Sequence, residues 1–284
     1  MLDTPIFPRE RVTIVGVLNL TPDSFSDGGR WLRADGPDVA AVAAEARRLA
    51  LAGAHVLDVG GESTRPGAEE VAAAEEIARV VPVIEALAKQ IRLPISIDTR
   101  KAVVARAALE AGASVVNDVS GGAFDPALLG VAARGGATLI LGHLRGVPAT
   151  MQVDPHFDDV LREVGDELAQ RIERAESAGV ARERIVVDPG IGFGKRHEDN
   201  LVLLARAGEL AGRLGRPLLV GPSRKSFLGR LTGDPVEARD VATVAACAVA
   251  VYAGANALRV HDVAGAVRAA AVGLALRAAS GSRP

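Results

Sequence analysis

The sequence predicts an α/β fold, a single-domain (β/α)8 barrel of the TIM type over residues 1–284, on three observations. Short runs of β-branched and apolar residues recur eight times, alanine-rich segments with helical spacing separate them, and no Pro-rich or low-complexity linker divides the chain. Strands joined by helical crossovers make parallel sheet, and near-continuous apolar strands are buried on both faces. An open doubly wound sheet meets the same description, but eight units in about 250 residues match the usual size of the barrel.

The first run, "RVTIVGVLN", gives way at Asn19 to the turn chemistry of "LTPDSFSDGG". Phe25 stands there beside Asp23, Ser24 and Asp27, a ring that a loop serving only to turn the chain does not need. A helix follows, capped at Asp38 or Asp35, with Val39, Val42, Ala43, Ala46, Leu49 and Ala50 at the spacing of one face. "HVLDVGG", "PISIDT" and "SVVNDVSGG" are the next strands, with "AVVARAALEAGA" as the helix between the last two. "ATLILGH" opens the longest crossover, Leu144 to Arg184, whose extra loop "RGVPATMQVDPHFDD" has the length for a lid. "IVVDPG", "PLLVGPSR" and, after the helical "ATVAACAVAVYAGA", "ALRVHD" complete the set. The helical segments tend to end in glycine, as a left-handed C-terminal cap requires.

Composition narrows the function classes. A formal net charge of -2 and a pI of about 6.2 give no basic field to recruit nucleic acid or an anionic membrane, so any anion must be held by local groups. The lone Cys247, inside "VAACAVAVY", predicts a small buried hydrophobe and suits a reducing cytoplasm. "MLDTPIFPRE" has no signal-peptide pattern, and no run of about 18 apolar residues spans a membrane.

The strands stay apolar until their last residues. There stand Asn19, Glu62, Thr64, Arg65, Asp98, Asn117, Asp118, His143, Asp188, Ser223, Arg224, Lys225, Arg259, His261 and Asp262. Singly, each has a plain structural reading: Asp98 caps a helix near Arg100, or Asp188 before Pro189 starts a turn. Together, on the rim where barrel enzymes put their active sites, they predict an enzyme. Asp98, Asn117 and Asp188 suit the edge of a flat heterocycle bearing N–H and C=O groups. Arg65, Lys225, Arg259 and His261, cationic or able to become so, suit phosphate. "GIGFGK" lacks the glycine spacing and the hydroxyl of a Walker loop, and the five histidines lack zinc-ligand spacing, so only a Mg²⁺ shared with a phosphate remains open.

"VLNLTPDSFSDGG", "LDVGGESTRPGA", "ISIDTRKA", "VVNDVSGG", "VVDPGIGFGK", "GPSRKSFLG" and "LRVHDV", in order from about Arg11 to Ala270, resemble the dihydropteroate synthases. The resemblance implies a cytoplasmic, homodimeric barrel that joins p-aminobenzoate to 6-hydroxymethyl-7,8-dihydropterin diphosphate, releasing pyrophosphate in folate synthesis. Asp98, Asn117, Asp188, Gly192, Phe193, Lys225 and Arg259 would then bind the pterin. Asn19, Arg65, Arg259 and His261 would hold the diphosphate, with Asn19 ligating its Mg²⁺. Phe25, Thr64, Pro66, Phe193 and Ser226 would surround the p-aminobenzoate. Asn19, Arg65, Lys225, Arg259 and His261 carry the catalytic roles, Asp23 is a candidate for assisting proton loss, and Phe25 belongs to a loop closing over the substrates.

One departure stands out: relatives commonly read Met-His where this chain reads Gly142-His143. Another apolar side chain must fill the gap, or pterin affinity falls. Two rivals share the acidic pterin floor, a methyltetrahydrofolate-binding methyltransferase and a catalytically silent pterin-binding homologue. "STRP", "SRKS" and "RVH", with Asn19, Arg65 and Lys225 present, argue against both.

Overall fold

The structure is a computed structural model that describes residues 5–21, 31–33, 36–65 and 67–281. Strand β1 (Thr13–Asn19) is followed by a small antiparallel pair, β2 (Leu32–Arg33) and β3 (Gly36–Pro37). Helix α1 (Val39–Leu51), β4 (Val56–Gly60), α2 (Ala73–Gln90), β5 (Ile95–Asp98), α3 (Ala102–Glu110), β6 (Val115–Asp118), α4 (Ala127–Arg134) and β7 (Thr138–Gly142) then alternate. After α5 (Val160–Ser177) and β8 (Ile185–Asp188) two short helices, α6 (His197–Ala205) and α7 (Ala207–Leu214), share one crossover. β9 (Leu219–Val220), α8 (Ser226–Thr232), α9 (Asp240–Tyr252), β10 (Ala257–Val260) and α10 (Val263–Ala279) complete the chain.

The eight strands of the main sheet are parallel and run in the order β8-β7-β6-β5-β4-β1-β10-β9. A bridge between Val187 and Leu218 joins the two outer strands, so the sheet closes into the expected barrel. Local chemistry accounts for the elements as read from the sequence. Asp38 caps α1 through its carboxylate, which accepts the Ala41 N–H at 3.1 Å, and Val42, Ala43, Ala46 and Leu49 face the core. Gly53, Gly112, Gly179 and Gly254 follow their helices with positive φ, the left-handed residue that ends a helix without a Cβ clash. Cys247 is fully buried, as expected. Among the described residues, no helix is long and apolar enough to cross a membrane.

Inside the barrel, Val15, Val56, Val115, Ile140, Val186, Leu219 and Ala257 pack into one apolar layer, and Phe7 packs with them. Side chains alternate across a strand with period two. The residues two positions further along the same strands are Val17, Asp58, Asn117, Gly142, Asp188, Gly221 and Arg259, joined by Asp98 two beyond the buried Ser96. Apolar packing thus stops one layer below the C-terminal rim, and polar groups take over.

Candidate active site

A cavity of about 620 Å³ opens at that rim, and Val17, Asp98, Asn117, Asp188, Gly221 and Arg259 contribute its floor. Arg259 organises it. Its Nε donates to Asp58 Oδ2 at 2.6 Å and its Nη2 to Asp98 Oδ2 at 2.7 Å, while Asn117 Nδ2 donates to the same Asp58 oxygen at 3.2 Å. Asp58 Oδ1 and Asp98 Oδ1 are buried with no partner, and Asp98, which lines the cavity, has that acceptor left for a ligand. Burial raises Asp98 to about 7 against the pull of Arg259, with Asp58 adding repulsion. Asp98 is not a helix cap: Asp125 Oδ2 takes the Ala102 N–H at the start of α3, at 2.8 Å.

Asp188 serves its turn and the cavity together. Its Oδ1 accepts the Gly190 N–H at 2.7 Å, which fixes the carboxylate at the strand end, and burial raises its pKa against that bond and the Lys225, Lys195 and Arg259 charges. Gly190 has φ +69, and a Cβ there would lie 1.9 Å from the His143 carbonyl oxygen, so only glycine turns here. The turn presents Gly192 and Phe193 as a wall. Lys225 Nζ sits 3.8 Å from the Phe193 ring centroid, a cation over an aromatic face, and burial lowers its pKa to about 8.

Asn19, Thr64, Arg65, Ser226 and His261 line the upper cavity. Of the groups expected to be cationic or able to become so, His261 stays neutral: burial, with Arg224, Arg259 and Arg65 nearby, pushes it down to about 3. Ser223 Oγ lies 2.9 Å from its Nδ1, and Nε2 is buried and unpartnered, ready to act as a neutral N–H donor. Glu62 holds the loop that carries Thr64 and Arg65: its carboxylate accepts from the Val71 N–H at 2.9 Å, Arg100 at 2.9 Å and Lys101 at 2.8 Å.

Other rim residues turn out to be structural. Asp118 accepts from the N–H groups of Ser120 and Gly122, Asp262 caps α10 through the Gly265 N–H, and His143 is wholly buried away from the cavity. At Gly142 a Cβ would lie 2.5 Å from Val119 Cα, so the backbone leaves no room for a side chain there, and Val119, Met151 and Ile191 supply apolar lining to the cavity. The extra loop of the longest crossover packs against the cavity wall: Met151 is buried, and Gln152 Nε2 donates to the Gly192 carbonyl at 2.8 Å. Phe25, Asp23 and Pro66 lie outside the described residues.

Sequence reading missed Asp58, Val236, Glu237 and Arg239. An aspartate inside the apolar strand "HVLDVGG" was the available signal, because a carboxylate is buried only with a partner. Val236, Glu237 and Arg239 line the mouth from the 3₁₀ turn before α9 and carry no sequence signal that separates them from a solvated loop.

The arrangement is an acidic floor with unpaired carboxylate oxygens beneath a basic rim. It can bind a flat ring bearing adjacent N–H donors and a polyanion attached to it, in one continuous space. Among the described residues, no cluster of three or more His, Cys, Asp or Glu could hold a metal ion.

Comparison with known proteins agrees with this chemistry. A family profile described as "Pterin binding enzyme" matches residues 15–261. The dihydropteroate synthase of Synechocystis is 47% identical over 255 residues, covering 89% of this chain and 86% of that protein. The Yersinia pestis dihydropteroate synthase, solved with a sulfonamide drug complex, superposes with a TM-score of 0.90 at 41% identity, covering 95% of this chain and 96% of that one. The Xanthomonas albilineans dihydropteroate synthase, solved with 4-aminobenzoic acid, gives 0.84 at 45% identity, covering 97% and 95%. The chain belongs to the pterin-binding enzymes and, within them, to the dihydropteroate synthases.

Proposed function

We infer that the chain is a transferase of folate synthesis that condenses p-aminobenzoate with 6-hydroxymethyl-7,8-dihydropterin diphosphate. The observation that carries this is the polarity of one cavity: Asp98 and Asp188 on the floor, Arg65, Lys225 and His261 above. The pterin 2-amino and ring N–H groups pair with the Asp188 carboxylate, Asn117 and Asp98 meet the remaining ring edge, and Lys225 reaches the pterin carbonyl. Gly192 and Phe193 wall the ring. Arg65 and Arg259, with the neutral N–H of His261, hold the diphosphate.

The carbon–oxygen bond to the diphosphate breaks, the arylamine nitrogen bonds to the pterin methylene, and the amine loses one proton. No protein nucleophile is needed, because the neutral arylamine is one already. What the protein supplies is charge neutralisation on the departing polyanion and a floor that holds the ring still. Ser226 and Thr64 line the same cavity and, with Phe25 and Pro66, are proposed to form the p-aminobenzoate slot.

Asn19 fits a Mg²⁺ that arrives with the diphosphate. It offers one neutral oxygen in the cavity wall and no acidic cluster surrounds it among the described residues, the donor set of an ion held mainly by phosphate and water. The ion would add positive charge to the leaving group.

The reading extends to a cytoplasmic homodimer. Val241, Val249 and Tyr252 on α9, and Val272 and Leu276 on α10, are 82%, 53%, 46%, 54% and 56% exposed, an apolar surface suited to a second copy. Val249→Glu should then halve the mass seen by light scattering. The activity is tested by pyrophosphate release: it should require the pterin diphosphate, p-aminobenzoate and Mg²⁺ together, and release without p-aminobenzoate at the same rate overturns the reading.

A further inference from the structure

Behind the Gly190–Lys195 turn lies a chain of polar groups that does not line the cavity. Lys195 is 3% exposed, and its Nζ meets His143 Nδ1 at 3.0 Å, the His143 carbonyl at 3.3 Å and the Phe193 carbonyl at 3.0 Å. Three acceptors match the three protons of an ammonium. With Nδ1 accepting, the imidazole proton is on Nε2, which donates to Glu167 Oε2 at 3.0 Å. Arg145 Nε in turn donates to Glu167 Oε1 at 2.8 Å. The order Glu167, His143, Lys195 is the one in which every donor and acceptor is used, and it ends at the carbonyl of a cavity-wall residue.

We propose that Lys195 is a positioning residue for the pterin site: its buried amine, oriented by His143 and Glu167, anchors the turn that carries Phe193 and whose Gly190 N–H holds the Asp188 carboxylate. The inference rests on the reading of Asp188 as the partner of the pterin N–H edge. Asp188 is faced by the Gly190 N–H of its own turn, by Lys225 before α8, by Lys195 and by Arg259 on β10. Lys195 is faced by Asp188, by Arg171 and Glu167 on α5 and by Arg145. Burial lowers Lys195 to about 7, opposed by the Asp188 charge. Burial likewise drives His143 to about 3, so the link between Lys195 and Glu167 is neutral.

The signs follow from these neighbours. Removing the ammonium takes away a charge that holds Asp188 ionised, so its pKa rises and a ligand needing the carboxylate is lost sooner as pH falls. Removing the Glu167 charge takes away support for the ammonium, so Lys195 loses its proton sooner as pH rises.

The test is calorimetric titration of 6-hydroxymethylpterin into wild type, Lys195→Met and Glu167→Gln across pH. In Lys195→Met the acid limb of affinity should move up by about one pH unit. In Glu167→Gln, at a side chain 29% exposed, the alkaline limb should move down. The second variant decides the matter if the first does not fold. Limbs that stay where the wild type has them, or an equal loss at every pH, overturn the proposal. A wild-type protein that binds no pterin overturns the functional reading, and the proposal with it.

Discussion

Arg259 Nε donates to Asp58 Oδ2 across 2.6 Å, closing the floor of the barrel between residues 201 positions apart in the chain. Asp58 is fully buried while Arg259 keeps one side to the cavity, and truncating one partner strands the other charge. Asp58→Ala should lower stability by about 3 kcal/mol, read as an earlier urea midpoint. An unchanged midpoint would show that Asp98 alone satisfies Arg259.

Asp188→Asn separates the two tasks of that side chain. The amide oxygen can still accept the Gly190 N–H, so the turn and the urea midpoint should be kept. Pterin affinity should fall by roughly 10- to 100-fold, because a charge-assisted bond is worth about 1.5–3 kcal/mol. Calorimetry giving wild-type affinity would remove Asp188 from the site.

Arg259 also faces the cavity, and its role can be read from two ligands on one protein. Arg259→Met should weaken the pterin diphosphate about tenfold more than the pterin alcohol, the worth of one charged contact. Any loosening of the floor affects both ligands and cancels in the ratio. Equal losses would assign Arg259 to the ring alone.

Asp98 gives a pH signature. Its folded pKa, about 7, lies above its unfolded value, so the folded state holds a proton that the unfolded state has lost. Its contribution is fully present below the unfolded pKa and is lost as pH rises through the folded one, at up to about 1.4 kcal/mol per pH unit. Wild type should therefore lose stability relative to Asp98→Asn between about pH 4 and pH 7. Parallel urea titrations that keep a constant gap across that range would contradict the assignment.

Gly142→Met should destabilise this chain. A Cβ would meet Val119 Cα at 2.5 Å, and backbone cannot swing aside as a side chain can. Overpacking of this kind costs about 1–3 kcal/mol. A variant as stable as wild type would mean that the Val119 segment moves.

The sequence by itself determined the barrel, the order of its strands and which rim residues are candidates, because hydrophobic period, glycine caps and strand-end polarity are local properties of the chain. It also carried the family, since seven motifs in order leave little freedom. Tertiary structure alone decided how the candidates divide. Asp118 and Asp262 turn to backbone N–H groups, whereas Asp98 and Asp188 keep oxygens for the cavity. Asp58 entered the floor because a barrel brings β4 and β10 together through β1, a neighbourhood no local window contains. The neutral state of His261 was decided in the same way: burial and three arginines from separate segments converge on it, and charge state is set by such neighbours in space.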